Sequence, residues 1–403
     1  MFKDLITRFP TWEVLRPYLR SVEGGSLRLI GISPLVLIRY QKGESNFSVP
    51  HVKYFRSVVW NTETNRPVSV TPCKSEVGEF LPLEGTITDY TIETFVDGIL
   101  IGQFWDGSSW KIHTRSMLGA KCRYYSEKTF KTMFYEAITN DQLDHLDKTV
   151  CYSWILQHPE NRIVSAVRNP RIFLVEANRI EEDGTLVKVS REELSFFETP
   201  NIHSFSSWAA LSAKLLEWNE RYHHNFQGFV IHNSESRWKV RTESYNKARI
   251  MRENTPRRDY VWLTQWKAKT LSSYLRIFPE EKSSALALVN RWKTITSDLF
   301  RIYTAKFKAK SSPEVPPKFK GILHAMHQYY YNTLKPAGKT LTLPEAIEWM
   351  NLRDVPQMLY LINFELRVAI AAVEDAPMEP SVYTAPIVEP VPGPVAEIEA
   401  IVT

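Results

Sequence analysis

The spacing of apolar residues changes near residue 255, and this change restricts the architectures open to the chain. Before it, short apolar runs alternate with turn residues, the pattern of strands. Leu35–Tyr40 is one such run. Ser57–Asn61 and Arg66–Val70 flank the polar stretch Thr62-Glu63-Thr64-Asn65, a hairpin signature. Ile99–Phe104 and Ser109–His113 flank Trp105-Asp106-Gly107-Ser108, a second hairpin in which Gly107 supplies the unusual backbone angle. Further strands are predicted over 150–156, 172–178, 186–189, 229–231 and 238–241, the last two forming the final strand pair. Helices are predicted over the first residues, ending in a turn at Gly24-Gly25, and over 127–147 and 205–222. In the last of these, Trp208, Leu211, Leu215 and Trp218 recur at helical spacing.

After residue 255 the period is three to four residues, over 260–276, 279–309, 317–334, 343–350 and 356–370. Thr342 ahead of Leu343-Pro344-Glu345 is a helix start signal. Strand-rich and then helix-rich sequence predicts an α+β fold followed by an all-α C-terminal domain. The expected divisions are 1–255, 256–375 and a tail over 376–403. The tail holds six prolines and no periodicity, and is expected to be disordered or extended. It could tether a protein partner.

Charge narrows the partners. The net charge is +5, but residues 236–270 alone hold ten Lys and Arg against three acids. Such a run favours RNA or another polyanion. Three cysteines, Cys73, Cys122 and Cys151, fit no zinc spacing and no disulfide framework. With no apolar run of membrane-spanning length, they predict an intracellular protein that engages no membrane. His223-His224 and the pair His324 and His327 lack a third ligand, so no metal site is predicted from them.

Five segments, in order, resemble the RNA ligase 1 family of T-even phages and its large-DNA-virus relatives. Tyr54-Phe-Arg56-Ser-Val-Val-Trp60 is similar to the family's Arg-Gly-Ile-Ile/Val-Phe strand. Pro72-Cys-Lys74 resembles the start of Pro-x-x-Lys-Phe-Phe-Asn. Phe95-Val-Asp97-Gly98 stands where the family has Lys-x-Asp-Gly, and Thr114-Arg115-Ser116 where it has Ser/Thr-Lys/Arg-Gly. Trp154-Ile155 through Pro159-Glu-Asn161-Arg162-Ile-Val164 resembles Phe-Glu-Phe-Val-x-Pro-x-Asn-Arg-Ile-Val. Gln227-Gly228-Phe229-Val230, then Lys239-Val-Arg241 and Tyr245, resemble Glu-Gly-Tyr/Phe-Val, Lys-x-Lys and Tyr. The resemblance covers roughly residues 30–250 and, more vaguely, the helical region after them.

The resemblance implies a nucleotidyl-transferase fold and ATP- and Mg²⁺-dependent joining of RNA 5′-phosphate and 3′-hydroxyl ends. In such chemistry a lysine attacks the ATP α-phosphate and becomes lysyl-AMP. Cations neutralise the phosphates while carboxylates help position metal and nucleotide. Here the implied phosphate-binding residues are Arg56, Lys74, Arg115, Lys239 and Arg241. The nucleophile's position holds Phe95, whose ring has no lone pair to offer. Ile155 and Gln227 replace two carboxylates, and Ser57 and Ser116 replace two glycines. Asp97 and Gly98 keep the frame.

Three readings follow. One is a nucleic-acid-binding or nucleotide-binding pseudoenzyme. Another is an active ligase using Lys111 or Lys42 as a relocated nucleophile, or sealing pre-adenylylated RNA. The third is a structural component of a virion or its assembly. Each motif also has a plainer reading. Asp97-Gly98 alone reads as a turn, Lys239 and Arg241 as one solvated strand face, and Asn161-Arg162 as a structural pair.

Overall fold

Short strands joined by tight turns assemble into three sheets, and the order of the strands decides where the motifs meet. The computed structural model describes residues 1–31, 33–77, 85–190 and 192–374. The tail over 376–403 lies outside them. Strands β1 (Arg28–Ile30), β2 (Leu35–Arg39), β3 (Val58–Asn61) and β4 (Arg66–Val70) form an antiparallel sheet in chain order. Helices Phe2–Arg8 and Trp12–Arg20 pack on it, with Leu5, Leu15 and Leu19 buried against Val36, Ile38, Val58 and Trp60.

The remaining strands build two five-stranded sheets. They are β5 (Glu76–Val77), β6 (Thr91–Thr94), β7 (Ile99–Trp105), β8 (Trp110–His113), β9 (Val150–Gln157), β10 (Arg171–Ile180), β11 (Leu186–Lys188), β12 (Ile202–His203), β13 (Gly228–His232) and β14 (Arg237–Arg241). One sheet has the order β11-β10-β9-β7-β8 and is antiparallel throughout. The other has the order β12-β6-β13-β14-β5, with only β5 and β14 parallel. Consecutive strands β6 and β7 therefore belong to different sheets, and residues 95–98 cross between them. Asp97-Gly98 is this crossover, not a hairpin turn.

The sheet containing β6, β13 and β14 has two faces of opposite character. Ile92, Phe229, Ile231 and Val240 pack with Leu211 of helix Trp208–Tyr222. Burying each of these side chains contributes on the order of 1.5–3 kcal/mol. The alternate residues Glu93, Val230, Lys239 and Arg241 line a cavity on the opposite face.

The chain divides into units Met1–Asn290 and Arg291–Thr403. This is later than the expected boundary at 255, because helices Arg258–Lys267 and Leu271–Ile277 belong to the first unit. Val261, Leu271, Tyr274, Phe278, Ala285 and Val289 share one core there. Arg252 and Arg162 bind Glu281 and Glu280. Within the second unit, Trp292 Nε1 donates to Asn351 Oδ1 at 3.1 Å. Helix Leu343–Asn351 starts as predicted, with the Thr342 N–H and Oγ1 each donating to Glu345 at 2.6 Å.

Local differences from the sequence reading have physical causes. The helix expected over 127–147 is two, Phe130–Ala137 and Asn140–Asp144, because Thr139 caps the second with Gln142. The helix expected over 260–276 breaks where Lys269 takes φ +60°. That expected over 356–370 breaks between Val355–Ile362 and Phe364–Glu374. Helix Glu243–Arg252 begins ahead of residue 255. Strand β6 escaped notice because it is four residues long and buries Glu93.

Candidate functional site

Cross-strand register brings the site together. On β6, β13 and β14, Glu93 pairs with Val230 and Val230 with Lys239. One step further, the Phe95 N–H donates to the Gly228 carbonyl at 2.9 Å, and Gly228 pairs with Arg241. Phe95, Gly228 and Arg241 thus form a row whose middle member has no side chain. The Arg241 guanidinium lies over the Phe95 ring, 4.9 Å from its centroid. With the Gln227 amide oriented by its donors, its oxygen accepts from Arg241 Nε at 3.1 Å and Nη2 at 3.3 Å. Of the three departures from the ligase pattern at 95, 227 and 241, the first two therefore both meet the third.

The cavity they border has a volume of about 300 Å³. Leu100, Ile155 and Val175 give it an apolar wall from the other five-stranded sheet. Lys42, Arg56, Arg115, Arg237, Lys239, Arg241 and Arg249 make the rest strongly cationic, and among the described residues Glu93 is its one acidic lining residue. Phe95 and Ile155 border the cleft without closing it. A neighbouring cavity of about 330 Å³ shares Thr94, Phe95, Val96 and Pro200, and includes Asp97 and Gln227.

Crowded like charges show in the titration of these groups. Lys239 is pulled down to about 8 by burial first and then by Arg241, Arg56, Lys42 and Arg249. Arg241 is lowered by burial and by Arg249, and Arg56 chiefly by burial. Arg115 is held by a donated bond to the Tyr40 carbonyl at 3.2 Å and lies over the Tyr40 ring.

Asp97 faces inward and serves the fold. Its Oδ2 accepts from the backbone N–H groups of Val164 at 3.0 Å and Ser165 at 2.9 Å. Its Oδ1 accepts from the Tyr245 hydroxyl at 2.7 Å. The Tyr245 hydroxyl is pushed up by burial and by Asp97. The neighbouring glycine has no room for a side chain: a Cβ at Gly98 would lie 2.5 Å from both Ile155 Cγ2 and the Leu156 carbonyl oxygen. Gly228 is constrained likewise, with φ +133° and a Cβ that would lie 1.9 Å from the Val240 carbonyl oxygen.

Not every expected residue reaches the cavity. Lys74 does not line it; its ammonium sits over the Phe47 ring at 4.8 Å. Lys111 is exposed on β8 and pairs with Asp106 at 3.1 Å, so it does not stand in for a nucleophile at the cleft. Lys42 does line it. Ser57 fills its glycine position usefully, bonding His113 Nδ1 at 3.0 Å and the Thr114 carbonyl at 3.2 Å. Ser116 is exposed.

The basic run over 236–270 splits. Arg237, Lys239, Arg241 and Arg249 face the cavity. Arg252 and Arg258 turn inward onto Glu281 and Tyr274. Arg162 is also structural, donating to the carbonyls of Val164 and Ile277 at 2.9 Å each and to Glu280. The sequence reading missed Arg237 and Arg249 as site residues, and it missed Glu93. The period-2 alternation of 237, 239 and 241 was a signal for the first of these.

A divalent metal finds a poor donor set here. Magnesium prefers carboxylate, phosphate and water oxygens in octahedral geometry. Glu93 faces His232 Nε2 at 3.0 Å, the Gln227 oxygen faces Arg241, and Ile155 offers no oxygen. Both Asp97 oxygens are held by the fold. Among the described residues, no three His, Cys, Asp or Glu side chains converge to hold a metal ion.

No protein-family profile matches the chain. Over 110 residues it is 24% identical to an RNA ligase of Rhodothermus phage RM378, a stretch spanning 24% of this chain and only 25% of that protein. This is distant sequence similarity to an RNA ligase. Among solved structures, an archaeal ATP-dependent RNA ligase aligns over 73% of this chain and 82% of its own, with TM-score 0.43 and 11% identity. A putative ATP-dependent DNA ligase from Aquifex aeolicus aligns over 90% and 80%, with TM-score 0.38 and 13% identity. These scores are too low to carry an argument, so the functional reading rests on the residues. No described helix is long and apolar enough to cross a membrane.

Proposed function

We propose that the chain is an RNA-ligase-like nucleotidyl-transferase-fold protein that binds phosphate groups of RNA or nucleotides and does not form lysyl-AMP at position 95. The observation that carries this reading is the contact of Phe95 and Gln227 with Arg241. Where a nucleophile would stand, an aromatic face supports a guanidinium, and where a carboxylate would stand, an amide oxygen accepts from it. The substitutions replace bond-making groups with groups that hold a cation still. What remains is a concave site that attracts anions, with an apolar wall against which a base could lie.

The test is binding of a fluorescent RNA oligonucleotide carrying either a 5′-phosphate or a 5′-hydroxyl. The reading predicts tighter binding of the phosphorylated end and a steep decrease of log K with log salt. It also predicts that Arg241→Gln removes the preference for phosphate. Equal affinity for both ends, or binding insensitive to salt, would refute it.

A relocated nucleophile is the second reading. Lys42 and Lys239 border the same cavity, and the crowding that lowers Lys239 makes a fraction of its amine unprotonated near neutral pH. A phosphoramidate mapped to either lysine after incubation with ATP would establish it.

A further inference from the structure

We infer that this cavity takes linked phosphates in their metal-free form, and that magnesium opposes their binding instead of assisting it. The inference rests on the anion-binding reading above and concerns how the ligand's charge is met. Among the described residues, seven cationic side chains and the single acid Glu93 line about 300 Å³. That leaves a formal excess of +6, from seven positive charges less one negative. A lone phosphate meets only part of this excess, whereas two or three linked phosphates meet more of it.

The arrangement along β14 favours a linear anion. Arg237, Lys239 and Arg241 alternate on one strand and face the cavity together. Alternate residues on a strand are about 6.5–7 Å apart, so the three cations form a row rather than a point. Arg241 is fixed from two sides, by the Phe95 ring and the Gln227 oxygen, and needs little ordering when an anion arrives. Metal ligation is the missing half. Positions that would contribute carboxylates hold Ile155 and Gln227, and the described carboxylates nearby are turned to His232 or to the fold. A magnesium ion brought in on the ligand would meet guanidinium and ammonium groups instead of oxygen donors. It would also cancel two of the negative charges these groups attract. Guanidinium groups supply the neutralisation directly, through forked donors matched to phosphate oxygens.

The experiment is calorimetric titration of the full chain with inorganic pyrophosphate, once with EDTA and once with magnesium in excess over the ligand. We expect tighter binding in EDTA, by on the order of tenfold, the effect of weakening two charge contacts in a water-like dielectric. Lys239→Gln and Arg237→Gln should each weaken the EDTA binding. Lys111→Ala, outside the cavity, should leave it unchanged. Because anion binding restores the proton to Lys239, titrations near pH 8 in buffers of different ionisation enthalpy should also reveal proton uptake. Tighter binding in magnesium would overturn this inference and leave the anion-binding reading standing. No binding in either condition would overturn both.

Discussion

Replacing Phe95 with lysine restores the residue type that ligation chemistry uses, and the structure predicts that it will neither fit nor react. The present ring lies 4.9 Å from the Arg241 guanidinium. Losing that contact costs about 0.5–2 kcal/mol. An ammonium in its place would face a guanidinium at a similar distance, a repulsion of about 3 kcal/mol at an effective dielectric of 20. Solvent reaches both positions, so screening reduces that figure. We expect Phe95→Lys to lower unfolding stability by about 2–4 kcal/mol in urea at pH 7. Phe95→Leu, which keeps apolar volume but not the ring, should cost about 1 kcal/mol. Incubated with α-labelled ATP, the lysine variant should remain unlabelled, because Gln227 and Ile155 still supply no carboxylate. A variant as stable as the parent to within 1 kcal/mol that also takes up label would refute the reasoning. The pocket around position 95 would then not have been rebuilt around Arg241.

Other outcomes follow from the same geometry. Asp97→Ala strands two buried backbone N–H groups and the Tyr245 hydroxyl, and should cost about 3–5 kcal/mol in chemical denaturation, with Tyr245→Phe costing about 1–3. Glu281 is opposed by burial but held below the usual carboxylate range by Arg252 and Arg258. Its stabilising contribution is therefore present above its unfolded pKa and is lost as pH falls. Glu281→Ala should cost about 3–5 kcal/mol near neutral pH, seen as a lowered midpoint for the helices over 258–281. Lys239 gives a pH dependence of the same sign in an alkaline window, because its lowered proton affinity means that the unfolded chain binds more protons between about pH 8 and the ordinary lysine value of 10.5. Stability should rise with pH across that window, and Lys239→Met should flatten the rise while weakening anion binding.

Much of the fold was legible because hairpins announce themselves locally. Thr62-Glu63-Thr64-Asn65 and Asp106-Gly107 set turns whose flanking strands have few alternatives. The alternation of Lys239 and Arg241 also placed both on one face. What the chain did not reveal locally is long-range pairing. Strand β6 is short and carries Glu93 into a buried position, a choice that only His232 on the adjacent strand makes sensible. Arg252 and Arg258 belong to the same basic run as Arg237 and Arg249. Only the position of Glu281 separates the structural pair from the pair that faces the cavity. Lys111 looked close to the cleft because its hairpin follows Asp97-Gly98, yet β7 meets the cavity at Leu100, whereas Lys111 pairs with Phe104 toward the hairpin's far end. The replacements at 95, 227 and 241 were each visible as departures, but their meeting at Arg241 requires Gly228 between them.

We propose that Phe95 leaves the chain without self-adenylylation at this position and with an anion-binding site. The most direct measurement is the mass of the intact chain after incubation with ATP and magnesium, beside an active RNA ligase treated identically. The account predicts an unchanged mass for this chain and an added AMP on the control. An AMP adduct on this chain would contradict it, and peptide mapping would show whether Lys42, Lys239 or another residue has taken the nucleophile's place.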